Sequence, residues 1–169
     1  DACTRTAAGA WKYEIRGQEM KINMADVNAA IGLAQIREYE NLLRERKRVF
    51  NIYTKAFADC EWAITPPSVS GIKESSYHIY ALRIKGITEE QRDAIIQEIS
   101  KDEVAVNVHF IPMPMLTLFK GLGYDIKNYP NAYNNYAHEI SLPIYPQLSE
   151  EKVLFVAQTV IKAYKNIIG

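Results

Sequence analysis

The chain has 169 residues, enough for one domain with a real core, and 48% of them are hydrophobic. Lys+Arg and Asp+Glu balance at 20 each, so there is no basic excess to attract nucleic acid or an anionic membrane. Two cysteines, Cys3 and Cys60, without a CxxC or a ligand-spaced His, argue against a disulfide framework or a structural zinc and for a reduced, cytoplasmic protein.

No apolar run approaches the roughly 18 residues of a membrane span, and no secretory signal pattern opens the chain. The sequence begins in mid-pattern at Asp1, which reads as a piece of a longer protein. In chain order, Trp11–Ile15 alternates large and polar residues like a strand, Arg16–Glu19 is turn-like, and Met20–Ile22 alternates again. Residues 1–22 are therefore expected to form a connecting hairpin or arm without a core of its own, and residues 23–169 a domain. An isolated hairpin is marginal in water.

A long helix is expected from Asn23, as N-cap, to Ala58, with Asp26 near its positive end. Val27, Ala30, Ile31 and Ala34, then Leu42, Leu43, Val49, Phe50, Tyr53 and Phe57, recur at helical period. A phase shift between the two sets predicts a kink or break near Tyr39–Glu40. Gly32 costs about 1 kcal/mol in a helix relative to Ala. Beside Ala29, Ala30 and Ala34 it points to close packing, either inside the domain or against another subunit. The Arg44–Arg48 cluster is interleaved with Glu38, Glu40 and Glu45 and reads as a solvated helix face.

Cys60–Ile64 reads as a short extended piece, Thr65–Gly71 as a loop, and Ser75–Lys85 as a strand covered on both faces. Thr88-Glu89-Glu90-Gln91 is a capping box that opens a helix to about Lys101. Glu103–Ile111 has the clearest strand pattern, with Val104, Val106, Val108 and Phe110 on one face and Ala105, Asn107 and His109 on the other. Short helices are expected at Met115–Lys120 and Asn131–His138, a strand at Ile140–Leu142, and a last helix capped by Ser149 and stapled by Leu148 on Val153. The fold class is α+β: a small, mostly antiparallel, three-stranded sheet packed with helices and preceded by a long helix.

Chemistry is sparse. The chain contains no GxGxxG, GxxxxGK[ST] or GxSxG, and His78, His109 and His138 share no metal-ligand spacing, so no metal site is expected. His109, at a strand end before a Pro-rich loop, is placed where site residues are common, though a structural His bonded to backbone fits the same spacing. His78 lies in a strand and reads as structural. His138, near a helix C-terminus, complements the dipole.

Four strings carry a family resemblance. Lys21-Ile22-Asn23-Met24-Ala25-Asp26 with Ala29-Ala30-Ile31-Gly32-Leu33-Ala34-Gln35 resembles the signature of the DegT family of fold-type I, pyridoxal-phosphate (PLP) nucleotide-sugar aminotransferases. Tyr77-His78-Ile79-Tyr80 with Arg83, Val108-His109-Phe110-Ile111-Pro112, and Ser141-Leu142-Pro143-Ile144-Tyr145-Pro146 match in the same order. The resemblance covers essentially the whole chain and identifies it with the small C-terminal domain. It implies a missing large domain that carries the Schiff-base lysine and holds most of the PLP, so no catalytic residue is expected here. It implies a homodimer in which Asn23 reaches the PLP phosphate of the neighbouring subunit, with His109 and His78 bordering the nucleotide-sugar substrate. The implied reaction moves an amino group from glutamate to a nucleotide-linked keto sugar. The outlet would be cell-surface polysaccharide or deoxyaminosugar synthesis. A sister branch dehydrates the sugar at C3 with the same cofactor, and a non-catalytic dimerisation module is a third reading. Ala25, where the family often has Ser or Thr, and Pro114, where it often has His, depart from the pattern.

Overall fold

The computed structural model describes residues 22–169 and, before them, the backbones of two strands, β1 (Cys3–Arg5) and β2 (Tyr13–Ile15). The strands pair antiparallel with Cys3 opposite Ile15. Of the strand expected at Trp11–Ile15, the part Tyr13–Ile15 is present, with Cys3–Arg5 as its partner. Trp11, Lys12, the turn expected at Arg16–Glu19, and Met20 and Lys21 lie outside the described residues.

Helix α1 runs from Asp26 to Ala56, 31 residues. Asn23 stands three positions before this start and is not its N-cap; the Ala29 N–H instead donates to the Ala25 carbonyl at 3.0 Å. The helix also continues without a break through Tyr39–Glu40. No Pro or Gly stands there to interrupt the i→i−4 ladder. The phase shift in the sequence instead falls at the boundary between two compact units, residues 1–38 and 39–169.

In the first unit the apolar positions of α1 stay in solvent: Val27 is 70% exposed, Ile31 58% and Ile36 72%. A Cβ added at Gly32 would meet nothing within 4 Å, so the tight packing expected around it within the domain does not occur.

The second unit holds the core. From α1, Val49, Phe50, Tyr53 and Phe57 point into it, all 2% exposed or less. Phe50 meets Tyr77 and Tyr80 edge-on, with ring centroids 5.2 and 4.9 Å apart. Such aromatic pairs add about 0.5–1.5 kcal/mol each beyond their burial. A sheet of β3 (Ala63–Ile64), β6 (Tyr80–Ile84) and β7 (Glu139–Leu142) is antiparallel in the order β3-β6-β7. A two-stranded ribbon, β4 (Val69–Ser70) and β5 (Lys73–Glu74), occupies part of the expected loop.

Helices α2 (Glu89–Ser100) and α5 (Glu150–Ile168) pack against each other beside the sheet. The capping box at Thr88 and Gln91 is present in both directions, and Ser149 Oγ accepts from the Lys152 N–H at 3.3 Å. Leu148 and Val153 are both buried, as the staple requires. On α2, Ile95 and Ile99 are buried and Ala94 is half-buried, while Arg92 is fully inside. Short helices α3 (Thr117–Gly121) and α4 (Pro130–His138) lie in the connection to β7.

Two strand expectations change. Regular strand structure in Ser75–Lys85 is confined to Tyr80–Ile84, where Tyr80, Leu82 and Ile84 are buried and Ala81 and Arg83 only half-buried. Glu103–Ile111 is not a strand: it touches β7 at one bridge, Asn107 to Ser141, through reciprocal backbone hydrogen bonds of 3.1 and 2.7 Å. Side chains take the next two N–H groups, that of His109 being the one that would extend the ladder with β7. Asn107 Oδ1 accepts from the Val108 N–H at 2.8 Å, and Glu139 Oε2 from the His109 N–H at 3.0 Å. Phe110, expected on the apolar face, is 72% exposed.

Candidate functional site

The site lies on the sheet face turned away from the core. In the β6–β7 pair, Leu82 faces Ile140 and Tyr80 faces Leu142 on the core side. Alternation then puts Ala81 with Ser141 and Arg83 with Glu139 on the opposite face. Residues 107–112 and α4 close over part of it.

Glu139 and Ser141 are both 4% exposed. A buried carboxylate persists only when hydrogen bonds replace its water. Glu139 takes one from the His109 N–H and a short one from the Ser141 hydroxyl. Ser141 Oγ also lies 2.7 Å from His109 Nδ1. A hydroxyl has one proton, and here it goes to the carboxylate. Ser141 Oγ must therefore accept from His109 Nδ1–H, which leaves Nε2 of the neutral imidazole as an acceptor.

His109 borders two open cavities. One, of about 400 Å³, is also lined by Pro66, Pro67, Arg83, Phe110 and Tyr136. The other, of about 380 Å³, is also lined by His78, Asn107 and Ser141. The two histidines singled out in the sequence thus share one cavity. His78 is exposed, and its Nδ1 lies 3.0 Å from Arg46 Nη1. Arginine can only donate, so His78 Nδ1 accepts and the ring proton sits on Nε2. His138 is structural: its Nε2 bonds the Ile87 carbonyl at 2.9 Å. Asn23 belongs to the other unit and is exposed in the segment before α1.

Arg92 supports the site from behind. Its Nη1 donates to the carbonyls of Tyr136 at 2.6 Å and Glu139 at 3.2 Å, pinning the end of α4 to the start of β7. The guanidinium also lies 4.7 Å from the centre of the Tyr136 ring. Burial and a 2.8 Å hydrogen bond to Glu89 push the Tyr136 phenol above its ordinary range, so it stays a neutral donor. Sequence reading missed Arg92, Glu139 and Asn135. Arg92 shares the spacing of Ile95 and Ile99, and Glu139 and Ser141 are polar residues at period two in an otherwise apolar strand. Those spacings were the available signals.

A covalent anchor for PLP would be a lysine inside a cavity, and neither of the two cavities at His109 is lined by one. Among the described residues no group of three or more His, Cys, Asp or Glu is placed to hold a metal ion. No described helix is long and apolar enough to cross a membrane.

Residues 2–161 match the model of the DegT/DnrJ/EryC1/StrS aminotransferase family. The chain is 32% identical over 167 residues to the spore coat polysaccharide biosynthesis protein SpsC of Bacillus subtilis, covering 95% of this chain and 41% of SpsC. It is 25% identical over 157 residues to the UDP-4-amino-4,6-dideoxy-N-acetyl-beta-L-altrosamine transaminase of Campylobacter jejuni, covering 93% and 41% of the two chains. Among solved structures, Spr1654 of Streptococcus pneumoniae, assigned as a sugar aminotransferase, superposes in its PMP form with a TM-score of 0.86. The identity is 36%, over 99% of this chain and 43% of that one. Its PLP form gives a TM-score of 0.85. The chain thus spans about two fifths of the length of these relatives. With the site geometry set on this fold, the chain belongs to the DegT/DnrJ/EryC1/StrS aminotransferase family.

Proposed function

We propose that this chain is the C-terminal part of a PLP-dependent enzyme that aminates a keto sugar carried on a nucleotide, with glutamate as amino donor. The observation that carries this reading is the match of 99% of this chain to Spr1654, a protein solved in a PLP form and a PMP form. When bound, such a cofactor supplies the electron sink for amino transfer. Relatives named for polysaccharide and amino-sugar synthesis support an outlet in cell-surface polysaccharide or deoxyaminosugar production.

In this reading residues 1–22 connect to a large domain and residues 23–169 form the small one. The protein works as a cytoplasmic homodimer, without nucleic acid or membrane partners. Asn23 donates its amide to the PLP phosphate of the neighbouring subunit, which accords with its exposure ahead of the helix. His109 accepts, and His78 donates, hydrogen bonds to substrate groups in the cavity they share. The exposed apolar residues of α1 meet the rest of the dimer. The chain alone is inactive in this reading, because the Schiff-base lysine belongs to the large domain.

Borohydride treatment of the PLP-loaded full-length protein tests this reading. We expect one PLP-labelled lysine outside this chain, with loss of the cofactor's visible absorbance on adding glutamate. The 169-residue chain alone gives no stoichiometric adduct. A full-length protein that binds the cofactor without a trappable lysine belongs to the dehydratase branch. One that binds none is a non-catalytic module.

A further inference from the structure

Arg83 has lost the partner that its strand register assigns it. It stands directly opposite Glu139 in the β6–β7 ladder, on the same face of the sheet. Opposite charges in such a pair contribute roughly 0.2–1 kcal/mol. No such ion pair forms, because Glu139 turns instead to the Ser141 hydroxyl and the His109 N–H. No carboxylate of the described residues lies in ion-pair contact with Arg83.

The guanidinium is nevertheless held in place. Nη1 donates to Asn135 Oδ1 at 2.6 Å, and the Asn135 amide is itself fixed by a 2.9 Å bond from Nδ2 to the Asn131 carbonyl. That leaves Nε and Nη2 without a hydrogen-bond partner among the described residues. Arg83 lines the cavity of about 400 Å³, with Pro66, Pro67 and the exposed Phe110 as apolar wall. Its two carboxylate and phenol neighbours there are already committed: Glu139 as above, and the Tyr136 phenol to Glu89. An oriented, unneutralised guanidinium beside apolar surface recognises a planar or tetrahedral oxyanion through two parallel N–H···O bonds.

We propose that Arg83, oriented by Asn135, is an oxyanion-binding residue that takes a carboxylate or phosphate group of a substrate against the wall formed by Pro66, Pro67 and Phe110. The proposed function supplies two sources of that chemistry: the carboxylate of the amino donor and the diphosphate of the nucleotide sugar. The inference rests on that function only for the choice between them.

The test uses the full-length protein, wild type, Arg83→Gln and Arg83→Lys, with glutamate and UDP as probes. Glutamate is read by the change in cofactor absorbance, and UDP by calorimetry. Arg83→Gln is expected to weaken one probe by about tenfold to a hundredfold, the range for a lost hydrogen bond to a charged group. Arg83→Lys keeps the charge but not the fork and recovers part of that loss. A loss confined to glutamate assigns the donor carboxylate; a loss confined to UDP assigns the diphosphate. Equal affinity of wild type and Arg83→Gln for both probes overturns the proposal while leaving an active aminotransferase intact. UDP binding that depends on Arg83 in a protein inert to glutamate upholds the subsite and counts against the amino-transfer reading. Equal melting temperatures of the cofactor-free forms separate either result from misfolding.

Discussion

The two halves of helix α1 make opposite use of the same kind of residue. Beyond Leu42 the apolar positions form the heart of a core: Phe50 and Tyr53 are 1% and 0% exposed. Before Tyr39, Val27, Ile31, Leu33 and Ile36 all exceed half exposure. Helical period alone does not say which half is buried. The difference teaches that an apolar stripe states a demand for cover, while the rest of the chain decides whether the cover is present.

The largest expected effect lies in the buried half. Phe50→Ala removes a ring that touches both Tyr77 and Tyr80 and leaves a cavity, at a cost of about 3–5 kcal/mol. Urea denaturation of the 169-residue chain measures it. A loss under 1 kcal/mol would mean that the core closes without Phe50.

Next comes the site. Ser141→Ala leaves the buried Glu139 carboxylate one donor short, at a cost of about 1–3 kcal/mol. It also frees His109 Nδ1, so the ring shifts away from the Nδ1–H tautomer. Nitrogen chemical shifts of the imidazole report this directly. An unchanged tautomer in Ser141→Ala would remove Ser141 as the group that orients His109.

Alkaline titration probes the same core without mutation. Burial raises the Tyr53 hydroxyl far above its ordinary value and pushes Tyr80 up to about 12. Both folded-state values lie above the unfolded value of about 10. Their contribution to stability is therefore fully present below pH ~10 and is lost as pH rises through the folded values. Denaturation midpoints should be level below that point and fall above it. Tyr80→Phe removes its part of the fall, at the loss of one hydrogen bond to Thr54.

The smallest effect is expected in the exposed half. Ile31→Glu should change the stability of the 169-residue chain by no more than about 0.5 kcal/mol, because the side chain loses no buried contact. In the full-length protein the same change should weaken the proposed dimer, with ultracentrifugation as the readout. An unaltered dimer would break the assignment of this surface to a partner.

Much of this was legible in the residues themselves. Capped helices read well, because Thr88 with Gln91 and Ser149 with Leu148 fix helix starts through local chemistry. The helix start at Asn23 did not, because an Asn can precede a helix without capping it. Glu103–Ile111 carried a strong alternation, yet a strand also needs a neighbour's free N–H and C=O groups. Here the Glu139 side chain takes the His109 N–H, the group that would have continued the pairing with β7. Cys60–Ile64 had the weaker pattern but supplied the third strand through Ala63 and Ile64, because β6 lay beside it. In the site, His109 was visible as a polar residue at a Pro-rich loop. The partners that set its tautomer were not, because the Asn107–Ser141 bridge brings His109 and Ser141 together across 32 positions, which no local pattern records.

The contrast between the two halves of α1 bears most directly on function at Asn23, just before the exposed half. The deciding measurement is PLP retention by the full-length protein with Asn23→Ala, set beside the melting temperature of the PLP-free form. Loss of the amide is expected to raise the cofactor dissociation constant by about tenfold, the scale of one hydrogen bond to a charged group. The PLP-free melting temperature should stay unchanged, since Asn23 caps no helix. Equal PLP affinity in mutant and wild type would contradict the assignment of Asn23 to the cofactor phosphate.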